Sequence, residues 1–443
     1  MMGVCFLCLA LPLAFGQSGS PNVSLLGHFN NYSSIGYNDC WGYVAPDGRE
    51  YALLGVRSGT SIVNITDTSH LVEVAFIATP NTTWKDIKTY RNYAYVVTDG
   101  SGVGLQIIDL SNLPTSATLV NTYTGFTISH NISIDTAHAM LYAQGGGGIR
   151  AISLADPVNP VQVSVFGVSS HDVYARNGIA YVSEGNSGTF SIFNVSNPAS
   201  PVLRKRVPIP NAGYVHNAWP TDDDQYLMTT EETSGKTVKF WDIRNLDSIS
   251  LADDYLASPN IAHNAHIKGN HAYISYYVDG LRIVDISDRT NILESGFYDT
   301  YPTPGGGYNG AWGAFPFFPS GKVLISDIQT GLYVVFFQGA VTDTVPPKTL
   351  IEGYSISPNY PNPFNPTTTI TYSLRERGFT TLFIYDILGR RVRTLVNKEQ
   401  DAGLYTVRWD ARNDNGSQVG SGPYFYRFTS GSFSRTQKML LMR

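Results

Sequence analysis

Hydrophobic and polar positions alternate in short runs along most of this chain, and residues 263–287 show the pattern clearly. Their sequence is HNAHIKGNHAYISYYVDGLRIVDIS. Alternation with a period of two, interrupted by the turn signals Gly269-Asn270 and Asp279-Gly280, is typical of strands joined by tight turns. With the residues that follow, the pattern predicts four strands, at 264–267, 272–276, 281–286 and 293–298.

A polar residue recurs at the end of the third strand of each such unit. Aspartate, asparagine or serine at this place can accept the backbone N–H two residues further on and begin a turn. Six of these residues align at separations of 41 to 48 residues, namely Asn64, Asp109, Ser153, Asn194, Asp242 and Asp285. A period of this length without a helical pattern indicates the four-stranded blade of a β-propeller.

The number of inner strands predicts seven blades within residues 22–338. They open near Asp39, Asp86, Asn131, Asp172, Asn217, Asn264 and Gly310. The seventh blade has only three strands of its own, whereas residues 22–30 have the pattern of an outer strand. We therefore predict that this N-terminal strand completes blade seven and closes the ring, which leaves no blade edge open.

The last quarter of the chain has a different organisation. Residues 339–353 contain Pro346-Pro347 and are predicted to be a linker. Residues 354–443 then form short alternating runs separated by turns rich in glycine and asparagine. This pattern predicts a small Ig-like β-sandwich, so the whole chain is assigned to the all-β class.

Composition and charge narrow the choice of partner and compartment. Charged residues make up only 15% of the chain, and its net charge is −5, which argues against nucleic acid as a partner. The apolar run at 4–15, followed by small residues, predicts a signal peptide at 1–16, and no later segment is apolar enough for a transmembrane helix. Export would leave Cys40 as the one cysteine, without an internal disulfide.

The repeat motif resembles that of a known group of exported proteins. GLRIVDIS, with AYISYY before it, is similar to the LVIVD repeat of bacterial propellers, and the layout resembles that of the choice-of-anchor B proteins. The resemblance covers about three quarters of the chain. It implies a propeller fold and an exported location, and it implies no reaction.

The C-terminal residues resemble the type A sorting domain of type IX secretion substrates. The motifs YPNPFNP, YDILGRRV and SGPYFYR carry this resemblance, while Ala411 stands after Trp409-Asp410 where many members have glycine. The resemblance implies that the secretion machinery recognises residues 354–443 and that the protein is secreted or held at the outer-membrane surface. The alternative is an ordinary carbohydrate-binding or adhesive sandwich.

Histidine followed by asparagine or aspartate recurs before the inner strands of successive blades. Each pair stands where the chain passes from one blade to the next, so we expect these side chains on one face, near the central channel. Aligning the blades predicts a ring of Asn38, Lys85, His130, His171, His216, His263 and Asn309. His266 and His271, inside a blade, are expected to have packing or turn roles.

Loops between the second and third strands open on the same face. They carry mostly charged residues, namely Arg57, Asp99, Glu184, Glu231, Glu232, Asp279 and Asp327. Glu184 and Glu231 are the expected carboxylates of a site in which His171, His216 and His263 could hold a divalent metal ion. The same groups could equally hold a sugar or another polar small molecule, or serve as acid and base. The alternative to a site is structural, with each histidine bonded inside its own blade or to the next one.

Two functions follow from these patterns. The first is a binding or adhesion module whose channel face recognises a polysaccharide or a protein. The second is a metal-dependent propeller enzyme, a hydrolase, lyase or oxidase, that uses the histidine cluster. Because neither a nucleophile nor an acid pair stands out in the sequence, binding is favoured.

Overall fold

The computed structural model describes residues 19–340 and 354–442, apart from residues 101, 146, 302, 304, 305, 357, 358, 360, 361, 365, 367, 401, 402 and 432. The predicted signal peptide and residues 341–353 of the predicted linker lie outside the described residues. The chain divides into two compact units, Met1–Thr342 and Asp343–Arg443.

The first unit begins with strand β1, Val23–Phe29, followed by blades of four antiparallel strands each. Blade one contains β2 (Tyr37–Val44), β3 (Glu50–Val56), β4 (Gly59–Asn64) and β5 (Val72–Ala78). Blade two contains β6 (Lys85–Tyr90), β7 (Tyr93–Thr98), β8 (Leu105–Asp109) and β9 (Thr118–Tyr123). Blade three contains β10 (Ile132–Asp135), β11 (Met140–Gly145), β12 (Gly148–Ser153) and β13 (Val161–Phe166).

The remaining blades repeat this order. Blade four contains β14 (Asp172–Arg176), β15 (Ile179–Ser183), β16 (Thr189–Asn194) and β17 (Val202–Pro208). Blade five contains β18 (Val215–Pro220), β19 (Tyr226–Glu231), β20 (Val238–Asp242) and β21 (Ser250–Tyr255). Blade six contains β22 (Ala265–Lys268), β23 (His271–Ser275), β24 (Leu281–Asp285) and β25 (Leu293–Tyr298). Blade seven contains β26 (Ala311–Phe315), β27 (Lys322–Asp327) and β28 (Gly331–Phe337).

The blades form a closed ring. The inner strand of each blade contacts the inner strand of the next, and β26 of blade seven contacts β2 of blade one. Strand β1 pairs antiparallel with β28, from Val23 opposite Phe337 to Phe29 opposite Leu332. Among the described residues the first unit therefore holds seven four-stranded sheets.

The recurrent polar residue at the end of each third strand makes the predicted turn. All six predicted bonds are present, with the backbone N–H two residues further on donating to the side chain. Their N–O distances lie between 2.8 and 3.3 Å, at Asn64, Asp109, Ser153, Asn194, Asp242 and Asp285. This bond accounts for the recurrence of these residues in the sequence.

Apolar side chains fill the space between neighbouring blades. Leu105 and Ile107 of blade two, for example, share one buried cluster with Ile132, Leu141 and Ile152 of blade three. Burying a side chain of this size stabilises the fold by about 1.5–3 kcal/mol. The core is thus distributed around the ring between the blades.

The second unit is a sandwich of two antiparallel sheets. One sheet orders β29 (Ser355–Ile356), β30 (Thr368–Leu374) and β33 (Gly403–Trp409). The other orders β32 (Arg391–Gln400), β31 (Gly378–Tyr385), β34 (Gly422–Ser430) and β35 (Phe433–Leu441). Its core packs around the buried side chains of Trp409, Tyr372 and Tyr426.

Helix is nearly absent from the part of the chain that the structure describes. Its two helical turns are 3₁₀ turns of three residues each, Leu246–Ser248 and Gln338–Ala340. None of the helical segments found there has the length and hydropathy needed to cross a membrane. The predicted all-β class, a seven-bladed propeller followed by a small sandwich, is confirmed.

Candidate functional site

Four histidines from four consecutive blades lie side by side at one end of the channel. They stand at or just before the inner strands of blades three to six. The ring centroids are 4.4 Å apart for His130 and His171, 4.2 Å for His171 and His216, and 4.2 Å for His216 and His263. The repeat therefore gathers these side chains into one continuous arc, which we call the histidine arc.

The residue after His130, His171 and His216, like Asp86 after Lys85 in blade two, has a different role, because it joins neighbouring blades. Asparagine and aspartate side chains at this place accept a backbone N–H from the inner strand of the next blade. Three such bonds run from Ile132 N to Asp86 (2.7 Å), from Val173 N to Asn131 (3.0 Å) and from Ala265 N to Asn217 (3.2 Å). The structural part of the repeated pair is thus its second residue.

One ring nitrogen of three histidines is held by a neighbouring group. Three partners approach Nδ1: Asp99 Oδ2 lies 3.1 Å from His130, the Tyr214 hydroxyl 3.0 Å from His171, and the Trp312 carbonyl 2.5 Å from His263. The His263 Nδ1–H donates to that carbonyl, which leaves Nε2 as the acceptor nitrogen of the neutral ring. Such bonds fix the orientation of an imidazole, as they do around metal sites.

A carboxylate stands against two members of the arc. Glu232 Oε2 lies 3.9 Å from His216 Nε2, and Glu232 Oε1 lies 3.9 Å from His263 Nε2. The Tyr277 hydroxyl donates to Glu232 Oε1 at 2.6 Å. Tyr277 therefore positions Glu232 so that its oxygens face the histidine arc.

Burial keeps three histidines of the arc uncharged. Loss of solvent, with a smaller contribution from neighbouring imidazoles, lowers the pKa of His171 to about 2 and that of His216 well below its usual range. Burial likewise lowers the pKa of His263 to about 3 and raises that of Glu232. These three imidazoles are neutral at pH 7, which is the form that ligates metal ions.

The arc forms part of the wall of a cavity of about 670 Å³. Three groups at this cavity are largely exposed: Arg57, Trp84 at 41% and Tyr308 at 59%. The volume is within the range of roughly 300–1,000 Å³ that small-molecule sites occupy. The cavity therefore combines imidazole nitrogens, aromatic faces, one cation and the carboxylates of Asp99 and Glu232.

Below the arc the channel narrows to a space of about 50 Å³ lined partly by buried acids. Asp86 pairs with Lys88, whose Nζ also lies 3.9 Å from Asp39 Oδ2. Burial raises the pKa of Asp172 to about 7 and that of Asp39 well above its usual range. This layer belongs to the inner strands and holds them together.

The other predicted members of the ring lie outside the main cavity. Asn38 donates to the Thr83 carbonyl at 3.1 Å, and Asn309 accepts a bond from Gln329 at 2.9 Å. Lys85 is 2% exposed and donates to the Arg57 carbonyl at 3.0 Å, within the narrower part of the channel. Burial lowers the pKa of Lys85 to about 8. These three side chains support the loops around the cavity.

Glu184 and Glu231 do not join the site, in contrast to the prediction. Glu184 is 3% exposed and accepts bonds from Ser191 (2.7 Å) and Arg206 (2.8 Å) within its own blade. Glu231 forms an ion pair with Lys239 and accepts the Gly213 N–H. Both carboxylates are satisfied within their blades, so they are unavailable to the histidines.

Glu232 takes their place because of the local backbone geometry. A β-bulge interrupts the pairing of β18 with β19 at His216, between Val215 and Asn217. A bulge re-aims a side chain, and residues one apart at a strand end point to opposite sides. Glu232 was recognised in the sequence only as one of seven loop residues, while Tyr214 and Tyr277 carried no signal.

Within the part of the chain that the structure describes, two groups of residues have the composition of a metal site. Each residue of a group offers one ligand atom, and these atoms lie within 4.8 Å of one another in His130, His171 and His216, and in His216, Glu232 and His263. Nitrogen with one carboxylate oxygen is a set that zinc and related transition metals accept. His216 is common to both groups.

Comparison with known families agrees with both halves of the fold. The LVIVD repeat matches residues 83–125, 169–208 and 260–300, and the FlgD Ig-like domain matches residues 367–432. The chain therefore contains LVIVD repeats followed by an Ig-like domain. No curated protein matches the chain.

Solved structures share the fold at low sequence identity. One is PorZ, described as a bacterial surface component of the type-IX secretion system of Porphyromonas gingivalis, with a TM-score of 0.50 and 15% identity. The match covers 89% of this chain and 58% of PorZ. The WD40 repeats of RRP9 match with a TM-score of 0.51 and 9% identity over 72% of this chain and 99% of that one. These likenesses support the propeller architecture alone.

Proposed function

We propose that this chain is an exported binding module whose propeller recognises its ligand in the cavity above the histidine arc. The observation that supports this most directly is the convergence of four histidines from blades three to six on one cavity of about 670 Å³. Three of these histidines also bond across a blade boundary, but through Nδ1 alone, so blade-to-blade bonding does not explain the ring nitrogens that remain.

The exposed part of the cavity favours a polysaccharide that carries acidic groups. Trp84 and Tyr308 offer ring faces on which a sugar can stack. The Arg57 guanidinium makes no hydrogen bond or ion pair within the described part of the chain, so it is available to a carboxylate or sulfate. The ligand class proposed is therefore an acidic oligosaccharide segment.

The test compares binding of acidic and neutral oligosaccharides of equal length by calorimetry. Arg57→Ala and Trp84→Ala should each weaken binding of the acidic ligand about tenfold or more, as loss of a good charged or aromatic contact does. Arg204→Ala, on the exposed outer strand of blade four, is the matched control and should bind as the wild type does. Preferential binding of acidic peptides would instead identify a protein ligand.

A metal-dependent enzyme is the second candidate, and one observation favours it. Glu232 stands 3.9 Å from two neutral imidazoles and has a raised pKa, as a general base beside a metal-bound water does. Turnover of a bound oligosaccharide that stops in Glu232→Gln, with binding retained, would favour catalysis over binding.

We further propose that residues 1–16 direct export and that residues 354–443 are the sorting signal read by the type IX secretion machinery. The motif resemblance and the separate compact fold of this unit support the proposal. The structural neighbour PorZ is itself described as a surface component of that system. The propeller would then be secreted or held at the outer-membrane surface.

A further inference from the structure

The histidine arc contains buried nitrogens that no described residue satisfies. His171 Nε2 is buried without a hydrogen-bond partner among the described residues, and so is Nδ1 of His216, a residue only 3% exposed. Leaving a buried polar atom unpaired costs about 1–3 kcal/mol. A repeated histidine at this place therefore lowers the stability of the fold unless a ligand occupies the space that the rings share.

The orientation of the arc limits what that occupant can be. Nδ1 of His130, His171 and His263 is already engaged by Asp99, Tyr214 and Trp312 respectively, which themselves line the cavity. The opposite nitrogens remain for a shared ligand, and Glu232 adds oxygens beside two of them. A hydrogen-bonding ligand would have to match several acceptors at once, whereas a cation accepts electron pairs from all of them.

We infer that the histidine arc and Glu232 hold one divalent transition-metal ion centred on His216, the residue common to the groups His130–His171–His216 and His216–Glu232–His263, with three of the other four side chains completing a four-coordinate site. Nitrogen ligands favour Zn²⁺, Cu²⁺ or Ni²⁺ over Ca²⁺ and Mg²⁺, which require oxygen. The carboxylates of Asp99 and Glu232 balance the two positive charges of the ion. This metal site lies in the cavity of the proposed function and rests on that proposal.

The distances are compatible with this assignment after a small adjustment. Ligand atoms bound to one zinc ion at about 2.0–2.2 Å lie roughly 3–3.5 Å apart in a tetrahedral site. The 3.9 Å separations between Glu232 and the two imidazoles therefore need to close by less than about 1 Å, and the other separations within each group, at most 4.8 Å, by less than about 2 Å. Side-chain rotation supplies this, while Tyr277 and Asp99 hold the outer atoms in place.

Zinc alone is the probe, added to the full exported chain purified without a histidine tag and stripped by a chelator. Calorimetry should show one saturable zinc site per chain. His216→Ala should remove it, and Tyr277→Phe, which releases Glu232, should weaken zinc binding about 10- to 100-fold, as loss of an outer-shell bond does. His28→Ala and His70→Ala, outside the arc, should leave zinc binding unchanged.

Two results would overturn the metal site: no saturable binding of zinc, copper or nickel by the folded wild type, or unchanged affinity in folded His216→Ala. If that variant does not fold, X-ray absorption of the zinc-loaded wild type decides, with imidazole nitrogens expected at about 2.0–2.1 Å and their absence contradicting the site. Repeating the oligosaccharide titration on stripped protein separates the two proposals, because either binding can then fail alone.

Discussion

Asn131 Oδ1 accepts the backbone N–H of Val173 at 3.0 Å, across the boundary between blades three and four. The Asn131 amide also donates to Asp86 Oδ2 at 3.0 Å, so one side chain links three consecutive blades. The histidine directly before it, His130, faces the cavity instead. Under the proposed function, adjacent residues of one repeated pair therefore serve stability and ligand binding separately.

This division predicts opposite phenotypes for the two residues. Asn131→Ala should lower the free energy of unfolding by about 1–3 kcal/mol, since it leaves buried partners unsatisfied, and should leave zinc affinity unchanged. His130→Ala should weaken zinc binding with a much smaller loss of stability. Denaturant unfolding and calorimetry measure the two effects, and Asn197→Ala, in an exposed turn, is the control. Equal losses of stability would contradict the division.

A second prediction concerns ring closure. Deleting residues 22–30 removes β1, unpairs the edge of β28 and should cost several kcal/mol, because the exposed strand loses both its hydrogen bonds and its apolar cover. The melting temperature should fall accordingly. Within the strand, Val23→Ala (6% exposed) should cost more than Leu25→Ala (43% exposed). An unchanged melting temperature after the deletion would show that β1 does not close the ring.

A third prediction concerns export. Removing everything after Gly353 should leave a folded propeller in the periplasm, while the wild type and Arg204→Ala reach the surface or the medium. Fractionation with an antibody against the propeller measures this. In the reciprocal experiment, residues 354–443 fused to an unrelated periplasmic protein should carry it outward. Export of the truncated chain would rule out a sorting role.

The fourth prediction concerns acid stability and uses His266, which packs against Trp219 with ring centroids 4.5 Å apart. Burial lowers the pKa of His266 to about 3 from its usual 6.5, so between these values only the unfolded chain takes up the proton. Stability is therefore lost as the pH falls below 6.5, by about 1.4 kcal/mol per pH unit.

His266→Phe keeps an aromatic ring in this position without a titrating group. The free energy of unfolding of His266→Phe minus that of the wild type should increase by roughly 2–3 kcal/mol when the pH falls from 7 to 4.5. Chemical denaturation at both pH values gives this difference. Burial raises the pKa of the nearby Asp172, which has the opposite effect on stability at low pH, but this effect is the same in both proteins and cancels. The control His70→Phe, exposed and outside the channel, should show no such change. Parallel pH curves for His266→Phe and wild type would contradict the assignment.

The sequence predicted the propeller because its local signals repeat. Each third-strand Asp, Asn or Ser begins its turn through its own side chain, so the bond depends on two residues and needs no tertiary information. The predicted strands of blade six agree with the structure to within one residue at every boundary. The histidine arc could be placed for the same reason, since each member occupies the same point of its repeat.

The carboxylate of the site could not be predicted in this way. Glu231 and Glu232 are adjacent in sequence, and a bulge at His216 together with the end of β19 decides which one faces the channel. Glu184 forms an ion pair with Arg206, which lies on a different strand. These outcomes depend on backbone irregularity and on pairs formed after folding, which a repeat alignment does not contain.

The pairing of β1 with β28 also has a mechanical consequence. Cys40 is the one cysteine of the described chain and is free, so the ring is closed by backbone hydrogen bonds without a covalent clasp. A protein tethered through its C-terminal unit and pulled by a ligand at the channel would receive the force at Phe337, where β28 pairs with Val23. Under load the pairing of β1 with β28 would separate first. Blades three to six, which carry the proposed ligand site, would stay folded longer.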